Sequence, residues 1–405
     1  MTSKFRVYKS EKAIPVTDKG VSGTQINLEI QVAEAIREVP LNHRWWQPFS
    51  STVFPFTVFL LLVMLSGCAH GKPEIIKIGV IASTTGPAAF IGEPQVKGAA
   101  LAIKELNSAG HSFELIVEDS PCDPQKAVTA FAKLANVDDV DYVIGPSCSF
   151  ENMAVEPLAE EYGIPTIALG AQEELATAGN FTIPFNQNPS VQGEILGAYL
   201  LDKEYATGGS IYFASAYTQQ IAQGLKKSFE AHNGKYVLDE ELTDFSITDF
   251  KDVIAKAIGK NVEGLYIEPF GQEITVIRKA SELGYHGKIV FGENGFRPEI
   301  AQVPEAEGLV LVAYQDLSGG NYDKFKEKFV QEYGKEPGQP FGAAMAYDAV
   351  YTIADSLAVD KAQLKEHIMS KEHVGSSGRL TYENQQPIRD FSLYEVKNGS
   401  FVKVK

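Results

Sequence analysis

The sequence predicts an α/β protein built from two doubly wound parallel-sheet lobes with a cleft between them. Short runs of Ile, Val and Leu alternate with amphipathic segments of about ten to fifteen residues, a pattern typical of parallel sheets covered by helices. This alternation occurs as two successive series, one more than a single sheet needs. A chain of 405 residues has room for two such units.

The first strand-loop-helix unit spans residues 75–107. It opens with a run rich in Ile and Val, which is typical of a strand buried on both faces. After a loop of small residues, Val96, Ala99 and Ile103 recur at helical spacing. Ligands of open parallel sheets sit beyond the carboxyl ends of the strands. The loop at 83–92 is therefore the first candidate wall of a binding site, and an ordinary strand-to-helix connection is the alternative.

The remaining elements follow from the same periodicities. In the first series we expect strands at 113–117, 142–144 and 164–168, and helices starting at Pro124 and at 151–162. In the second series we expect strands at 211–214, 236–238, 264–267, 288–291 and 309–313, and helices at 189–203, 219–232, 249–260 and 272–283. The last part is predicted to hold helices at 322–333, 341–357 and 361–369, then a hairpin of 391–396 and 401–402.

Composition and motifs exclude several classes of function. The formal net charge of -16 argues against a nucleic-acid partner, because phosphates require clusters of basic residues. The sequence contains no GxSxG elbow, no GxxxxGK[ST] phosphate loop and no GxGxxG that opens a helix, so catalysis has no support. The seven His residues are scattered, and no metal or cofactor is predicted.

The amino-terminal part contains an apolar segment at residues 49–65. Its dense part is shorter than the roughly 20 apolar residues that a spanning helix needs, and Arg44 precedes it, as in a signal peptide. The ending Leu65-Ser66-Gly67-Cys68 resembles a bacterial lipobox, which implies cleavage before Cys68 and lipid on its thiol. Residues 1–67 are therefore predicted to be a leader and lipoprotein signal peptide, with an uncleaved membrane anchor as the alternative.

Residues 1–40 do not fit a signal peptide, because they are polar and mixed in charge. Our hypothesis is that translation starts near Leu41 and that residues 1–40 are not translated. Recovery of peptides from this region by mass spectrometry would contradict it.

The three cysteines have different expected fates. If Cys68 carries lipid, Cys122 and Cys148 remain as an even pair, and an exported compartment permits a disulfide between them. Closing a loop of that length stabilises by about 3.5 kcal/mol in the chain-entropy model. A free reactive thiol is the alternative.

Small or polar residues follow the predicted strands of both series. Parallel strands place their carboxyl ends at one edge, so these groups are expected to converge on one cleft with donors and apolar walls. They are Ser147-Cys148-Ser149, Gly170-Ala171-Gln172, Ser215-Ala216-Tyr217, Glu268-Pro269-Phe270 and Glu293-Asn294.

Several of these segments carry a family likeness. Residues 75–402 resemble the type I periplasmic solute-binding proteins of branched-chain amino-acid ABC transporters. The matching motifs are KIGVIASTTGPAAFIG, DSPCDP, VIGPSCS, GIPTI, FGENG and AYDA, in this order. The resemblance implies the type I periplasmic binding protein fold, with crossovers near Pro184, Tyr314 and Tyr382. Lobe 1 would comprise 74–186 plus 315–381, and lobe 2 would comprise 187–314 plus 382–405.

The resemblance also implies roles for particular residues of lobe 1. The disulfide of the family corresponds to Cys122 and Cys148. The groups that hold the ligand carboxylate correspond to Ser149, Gly170 and Gln172. Gln172 replaces the hydroxyl residue usual at its position, and its amide can still donate a hydrogen bond.

The expected ligand wall departs further from the family pattern. Asn294 stands where an acidic residue usually pairs with the ligand ammonium, and Glu293 or Glu268 are candidate substitutes. Ile91 stands where the first loop usually carries an aromatic residue, with Phe90 adjacent. Tyr217 and Phe270 are expected to supply aromatic surface from lobe 2. These departures make an amide, an aromatic acid or another small organic acid credible beside leucine, isoleucine and valine.

The sequence thus predicts an extracytoplasmic substrate-binding lipoprotein of an ABC transporter, in the periplasm or on the outer face of the cell membrane. It would capture an amino acid or a related amide or organic acid by lobe closure and deliver it to the permease subunits. We expect a monomer that is anchored to the membrane through lipid on Cys68 and is not an enzyme. The alternative is a ligand-sensing lipoprotein of the same fold that feeds a regulator.

Overall fold

A computed structural model describes residues 75–314 and 320–404. The leader, the translation start near Leu41 and the lipid attachment at Cys68 lie outside the described residues. Within the described ranges, no helix combines the length and apolar composition needed to cross a bilayer.

The strands form three sheets. In chain order they are β1 (Ile76–Ala82), β2 (Phe113–Asp119), β3 (Tyr142–Ile144), β4 (Thr166–Ala168), β5 (Thr182–Pro184), β6 (Thr207–Phe213), β7 (Lys235–Leu242), β8 (Gly264–Glu268), β9 (Lys288–Phe291), β10 (Val310–Tyr314), β11 (His373–Gly375), β12 (Gly378–Glu383), β13 (Gln386–Ile388), β14 (Phe391–Lys397) and β15 (Ser400–Lys403).

The α-helices of the described residues cover the two larger sheets. In chain order they are α1 (Ala89–Ser108), α2 (Pro124–Lys133), α3 (Ser149–Tyr162), α4 (Ser190–Asp202), α5 (Ala216–Ala231), α6 (Lys251–Gly259), α7 (Glu273–Glu282), α8 (Pro298–Ala301), α9 (Gly320–Tyr333), α10 (Pro340–Ala354) and α11 (Leu364–Met369).

The two larger sheets confirm the predicted fold class. The first has the order β2-β1-β3-β4-β5 and is parallel throughout. The second has the order β15-β14-β10-β9-β8-β6-β7, and its strands β6 to β10 pair in parallel. β14 and β15 add antiparallel at one edge and form the predicted hairpin, which turns at Asn398-Gly399. Each larger sheet is the centre of one lobe.

The sequence pattern did not predict β5, the short helix α8 or the small sheet of β11 to β13. β11, β12 and β13 form a small antiparallel sheet after α11. These strands are short and mix glycine and charged residues, so they show no clear two-residue alternation.

The chain crosses between the two larger sheets after β5, after β10 and before β14. The buried Arg389, in the third crossing, contacts the other two crossings. Its Nε and Nη2 donate to the Phe185 carbonyl at 3.1 and 2.9 Å, and its guanidinium lies 5.9 Å from the Tyr314 ring. The Tyr382 hydroxyl donates to the Pro184 carbonyl at 2.9 Å. The three crossings therefore form one hydrogen-bonded hinge region. The lobe boundaries given above stay a prediction.

A disulfide and two hydrogen bonds hold the start of α3 at the edge of the first sheet. The structure joins Cys122 and Cys148 in a disulfide whose Cα atoms lie 5.5 Å apart, within the usual range for such a bridge. Glu151 accepts hydrogen bonds from the backbone N–H of Asp123 at 3.0 Å and of Cys148 at 3.3 Å. These contacts hold the first turn of α3, and with it Ser149, against the loop that follows β2.

Candidate ligand-binding site

A cavity of about 50 Å³ lies between the two lobes, at the carboxyl ends of the parallel strands. An engineered cavity that holds benzene has about 150 Å³. This conformation therefore encloses a small solute at most, and a larger one requires the lobes to move apart. The lining residues come from both lobes: Ile91, Gln95, Ser147, Cys148, Ser149, Phe150, Leu169, Gly170, Ala171, Asn186, Ser215, Tyr217, Phe270, Glu293, Asn294, Gln339, Phe341, Gly342 and Met345.

The structure brings most of the predicted ligand-binding residues together. Those that line the cavity are Ile91, Ser149, Gly170, Tyr217, Phe270, Glu293 and Asn294. The other two predicted residues, Phe90 and Gln172, do not line it.

Phe90 packs between the lobes, away from the cavity. Its ring meets Phe270 edge to face at 6.1 Å between centroids, and the guanidinium of Arg297 lies 4.7 Å from the ring centre. Gln172 is buried at the start of the helical turn Glu173–Thr177. The first turn of α1 therefore presents the aliphatic Ile91 to the cavity, and its aromatic residue, Phe90, makes the contact between lobes.

The lobe 1 wall is suited to an anionic group. Ser149 is the first residue of α3, where backbone N–H groups have no helical partners and the helix dipole favours negative charge. Gly170 lies against this turn: a Cβ at this position would be 2.3 Å from Asn152 Nδ2 and 2.8 Å from the Ser149 nitrogen. Only glycine lets the strand end approach so closely. Ser149 and Gly170 thus leave room for a carboxylate at the helix terminus.

The lobe 2 wall carries a buried acid. Glu293 follows β9, is 5% exposed, and its Oε2 has no hydrogen-bond partner among the described residues. Burial raises its pKa to about 7, although hydrogen bonding from Tyr217 opposes the shift. The Glu293 backbone N–H donates to Gln192 Oε1 at 3.1 Å, which fixes the turn. A ligand cation in the cavity would supply the partner that Glu293 Oε2 lacks.

A second acid lies behind this wall. Glu268 is 1% exposed and neither carboxyl oxygen has a hydrogen-bond partner in the described part of the chain. Burial raises the pKa of Glu268 well above its ordinary value, and the neighbouring Glu273 and Glu293 raise it further. The nearby Arg297 is ion-paired with Glu273. Lobe 2 therefore presents one acid, Glu293, to the cavity, opposite the anion-attracting terminus of lobe 1.

Hydrogen bonds across the cleft hold the lobes together over the cavity. The Tyr217 backbone N–H donates to Ser149 Oγ at 3.4 Å. Gln220 bridges the rim: its Oε1 accepts from the Glu173 backbone N–H at 3.2 Å, and its Nε2 donates to Glu174 Oε2 at 3.2 Å. The structure is thus a closed arrangement of the two lobes.

Sequence reasoning missed lining residues that do not follow a predicted strand. Gln95 lies on α1, Asn186 in the first crossing, and Gln339, Phe341 and Met345 at the start of α10. One signal was available for Gln95, since it is a polar residue between Ile91 and Ala99 on the apolar face of α1. The α10 residues are distant in sequence, and only the folded chain brings them to the cleft.

Two larger sheets, three crossings and a cavity with polar and apolar walls at the facing strand ends are typical of two-lobed proteins that bind a small solute between their lobes. The family model for periplasmic binding proteins matches residues 75–400. The chain therefore belongs to the periplasmic binding protein family, and the resemblance to the type I solute-binding proteins of branched-chain amino-acid transport is confirmed.

Named relatives bind different small solutes. A leucine-, isoleucine-, valine-, threonine- and alanine-binding protein of Pseudomonas aeruginosa is 24% identical over 340 residues, covering 80% of this chain and 90% of that protein. A solute-binding protein of an ABC transporter from R. palustris, solved with benzoate, has 21% identity and a TM-score of 0.74, covering 82% of this chain and 96% of that one. A branched-chain amino acid transporter substrate binding protein of Streptococcus pneumoniae, solved with isoleucine, has 24% identity and a TM-score of 0.72, covering 82% and 100%. The solved structures establish the fold.

Proposed function

We propose that this chain is the extracytoplasmic substrate-binding lipoprotein of an ABC transporter and that its ligand is a small zwitterionic amino acid. Lobe closure would bury the ligand, and the closed form would dock on the permease subunits. Lipid on Cys68 would hold the protein at the membrane. The family membership and the transport relatives support the general role.

The observation that carries the choice of ligand is the buried Glu293, whose Oε2 has no hydrogen-bond partner among the described residues, opposite the start of α3. An α-amino acid would place its carboxylate at Ser149 and Gly170 and its ammonium at Glu293. A ligand that is only a carboxylate, as benzoate is, would leave Glu293 without a cation in a buried site. Burying an unpaired charge is costly, so the cavity favours a zwitterion.

Isothermal titration with small α-amino acids and with benzoate tests this proposal. We expect at least one amino acid to bind, and its analogue without the amino group to bind at least tenfold more weakly. Ser149→Ala and Glu293→Gln should each reduce affinity about tenfold or more, because a hydrogen bond to a charged group contributes about 1.5–3 kcal/mol.

Glu305→Gln is the matched control, since Glu305 is exposed on lobe 2 and outside the cavity. It should bind like the wild type. Equal binding of the deaminated analogue, or wild-type affinity in Glu293→Gln, would show that the ligand is not held as a zwitterion.

A further inference from the structure

Two buried glutamines lie on the lobe 1 side of the cavity, apart from the Ser149 turn. Gln95 comes from α1 and is 2% exposed, and Gln339 precedes α10 and is 3% exposed. Both line the cavity. They are neighbours around Gly342: a Cβ at that position would lie 2.6 Å from Gln339 Oε1 and 3.3 Å from Gln95 Cγ. A glycine there keeps the space between the two amides open.

Hydrogen bonds with the protein fix the orientation of each glutamine side-chain amide. Gln339 Oε1 accepts the backbone N–H of Gly342, as the cap of α10. Gln95 Oε1 accepts from Ser147 Oγ at 2.5 Å, and Ser147 Oγ in turn accepts from the Ser83 backbone N–H at 3.4 Å. Both amide oxygens are therefore occupied. The Nε2 group of each glutamine is left as a donor without a protein partner within the described ranges.

The apolar residues around the two Nε2 groups make these donors selective for ligands that accept hydrogen bonds. Ile91, Phe341 and Met345 line the same cavity and offer no acceptor. An aliphatic ligand group that covers these donors leaves them buried without a partner, which costs about 1–3 kcal/mol. A ligand group of the same shape that accepts their hydrogen bonds avoids that cost. Sites built to hydrogen-bond a substrate group reject analogues that lack it.

The charges of the lining residues restrict which hydrogen-bond acceptor the ligand side chain can carry. The cavity is lined by no Lys, Arg or His among the described residues, and its one ionisable carboxyl is Glu293. A carboxylate at the end of a ligand side chain would find amide donors there but no cation. The geometry therefore favours a neutral acceptor, such as a carboxamide or a hydroxyl.

We propose that Gln95 and Gln339 form a pair of amide donors that selects amino acids whose side chain ends in a neutral hydrogen-bond acceptor over leucine, isoleucine and valine. This inference rests on the proposed function, because it assumes that the ligand's carboxylate and ammonium occupy Ser149 and Glu293. It adds the class of side chain that the cavity prefers.

Ligand pairs of matched shape test the proposal in the wild-type protein. Asparagine has nearly the shape of leucine, and threonine nearly that of valine, so each pair differs mainly in hydrogen bonding. We expect the polar member of at least one pair to bind at least tenfold more tightly than its apolar counterpart in isothermal titration. Equal affinity within both pairs, or tighter binding of leucine and valine, would overturn the proposal.

Variants that remove one Nε2 donor while keeping the fold test whether Gln95 and Gln339 cause the preference for the polar ligand. Gln339→Glu keeps an oxygen for the Gly342 N–H and has no donor at neutral pH, and Gln95→Met keeps the length of the side chain. Each should weaken the polar ligand at least fivefold and reduce its advantage over the apolar partner. Gln302→Glu makes the same change at an exposed position of lobe 2 and should leave both affinities unchanged. Thermal unfolding of each variant checks that it is folded.

The two proposals fail in different ways. If both members of each pair bind equally and Glu293→Gln abolishes binding, the amide pair does not select the side chain while the proposed function stands. If none of the four amino acids binds, the amide-pair proposal is overturned, and the proposed function fails as well only if no other small α-amino acid binds. A polar preference that survives in Gln339→Glu and Gln95→Met together would show that other groups set it.

Discussion

At the scale of single residues, Glu293 couples the site to pH. Its pKa is raised by burial from 4.5 to about 7. The folded protein without ligand therefore binds a proton between these values that the unfolded chain releases. Stability falls as pH rises through this window, and above pH 7 the native state holds an unpaired buried charge. The linkage amounts to about 3 kcal/mol at alkaline pH.

Glu293→Gln should remove this penalty. In the absence of ligand, we expect the variant to be more stable than the wild type by up to about 3 kcal/mol at pH 8, and by less than about 0.5 kcal/mol at pH 4.5. Urea unfolding at the two pH values measures the difference. Equal stability of the two proteins at pH 8 would mean that Glu293 is not buried as a charge in the free protein.

At the scale of elements, glycines set the packing of α4 against α5. A Cβ at Gly193 would lie 1.9 Å from the Ile221 carbonyl oxygen, and one at Gly224 would lie 2.0 Å from the Ser190 carbonyl oxygen. The backbones of α4 and α5 are therefore in direct contact at both glycines. Because α5 also carries Tyr217 in its first turn, this packing positions the aromatic wall of the cavity.

Gly224→Ala should force the two helices apart. We expect a loss of about 2 kcal/mol or more in the free energy of unfolding, because overpacking a close contact costs about 1–3 kcal/mol and the clash here is with backbone. The control is Gly259→Ala at the end of α6, where a Cβ would meet nothing within 4 Å. It should be neutral or stabilise by up to about 1 kcal/mol. Equal losses in both variants would contradict the packing argument.

At the scale of the whole molecule, the proposed function depends on the balance between open and closed lobes. The cavity has a volume of only about 50 Å³ here, so a solute of amino-acid size requires the lobes to separate before it can bind. A ligand that binds the closed form stabilises closure by its difference in affinity for the two forms. Hydrogen bonds across the rim, such as those of Gln220, also stabilise the closed form, although they do not contact the ligand.

Two adjacent residues of α5 test this idea. Gln220→Ala removes both hydrogen bonds across the rim, so we expect a more open ligand-free protein in small-angle scattering and an affinity about fivefold weaker. Gln219 donates to Glu241 Oε2 at 3.1 Å within its own lobe. Gln219→Ala should therefore stay within about twofold of the wild type. Similar effects of both substitutions would show that the rim contacts do not control closure.

The fold class and much of the cavity wall follow from the amino-acid sequence alone. Burial periodicity is local, so it identifies strands such as β1 and the helices that follow them. Parallel strands place their carboxyl ends together, and this rule is sufficient to locate Ser149, Gly170 and Glu293 at one cleft. The small sheet of β11 to β13 escapes prediction because its strands lack a clear alternation.

The choice of side chains that face the cavity is made by tertiary packing. Phe90 and Ile91 are neighbours in the chain, yet the packing of Phe90 against Phe270 leaves Ile91 to line the site. Gln95 and Gln339 lie far apart in sequence and meet because α10 packs along α1, where a Cβ at Gly98 would reach the Ala343 carbonyl oxygen at 2.0 Å. Local patterns carry no information about such long-range contacts, which depend on how whole elements pack.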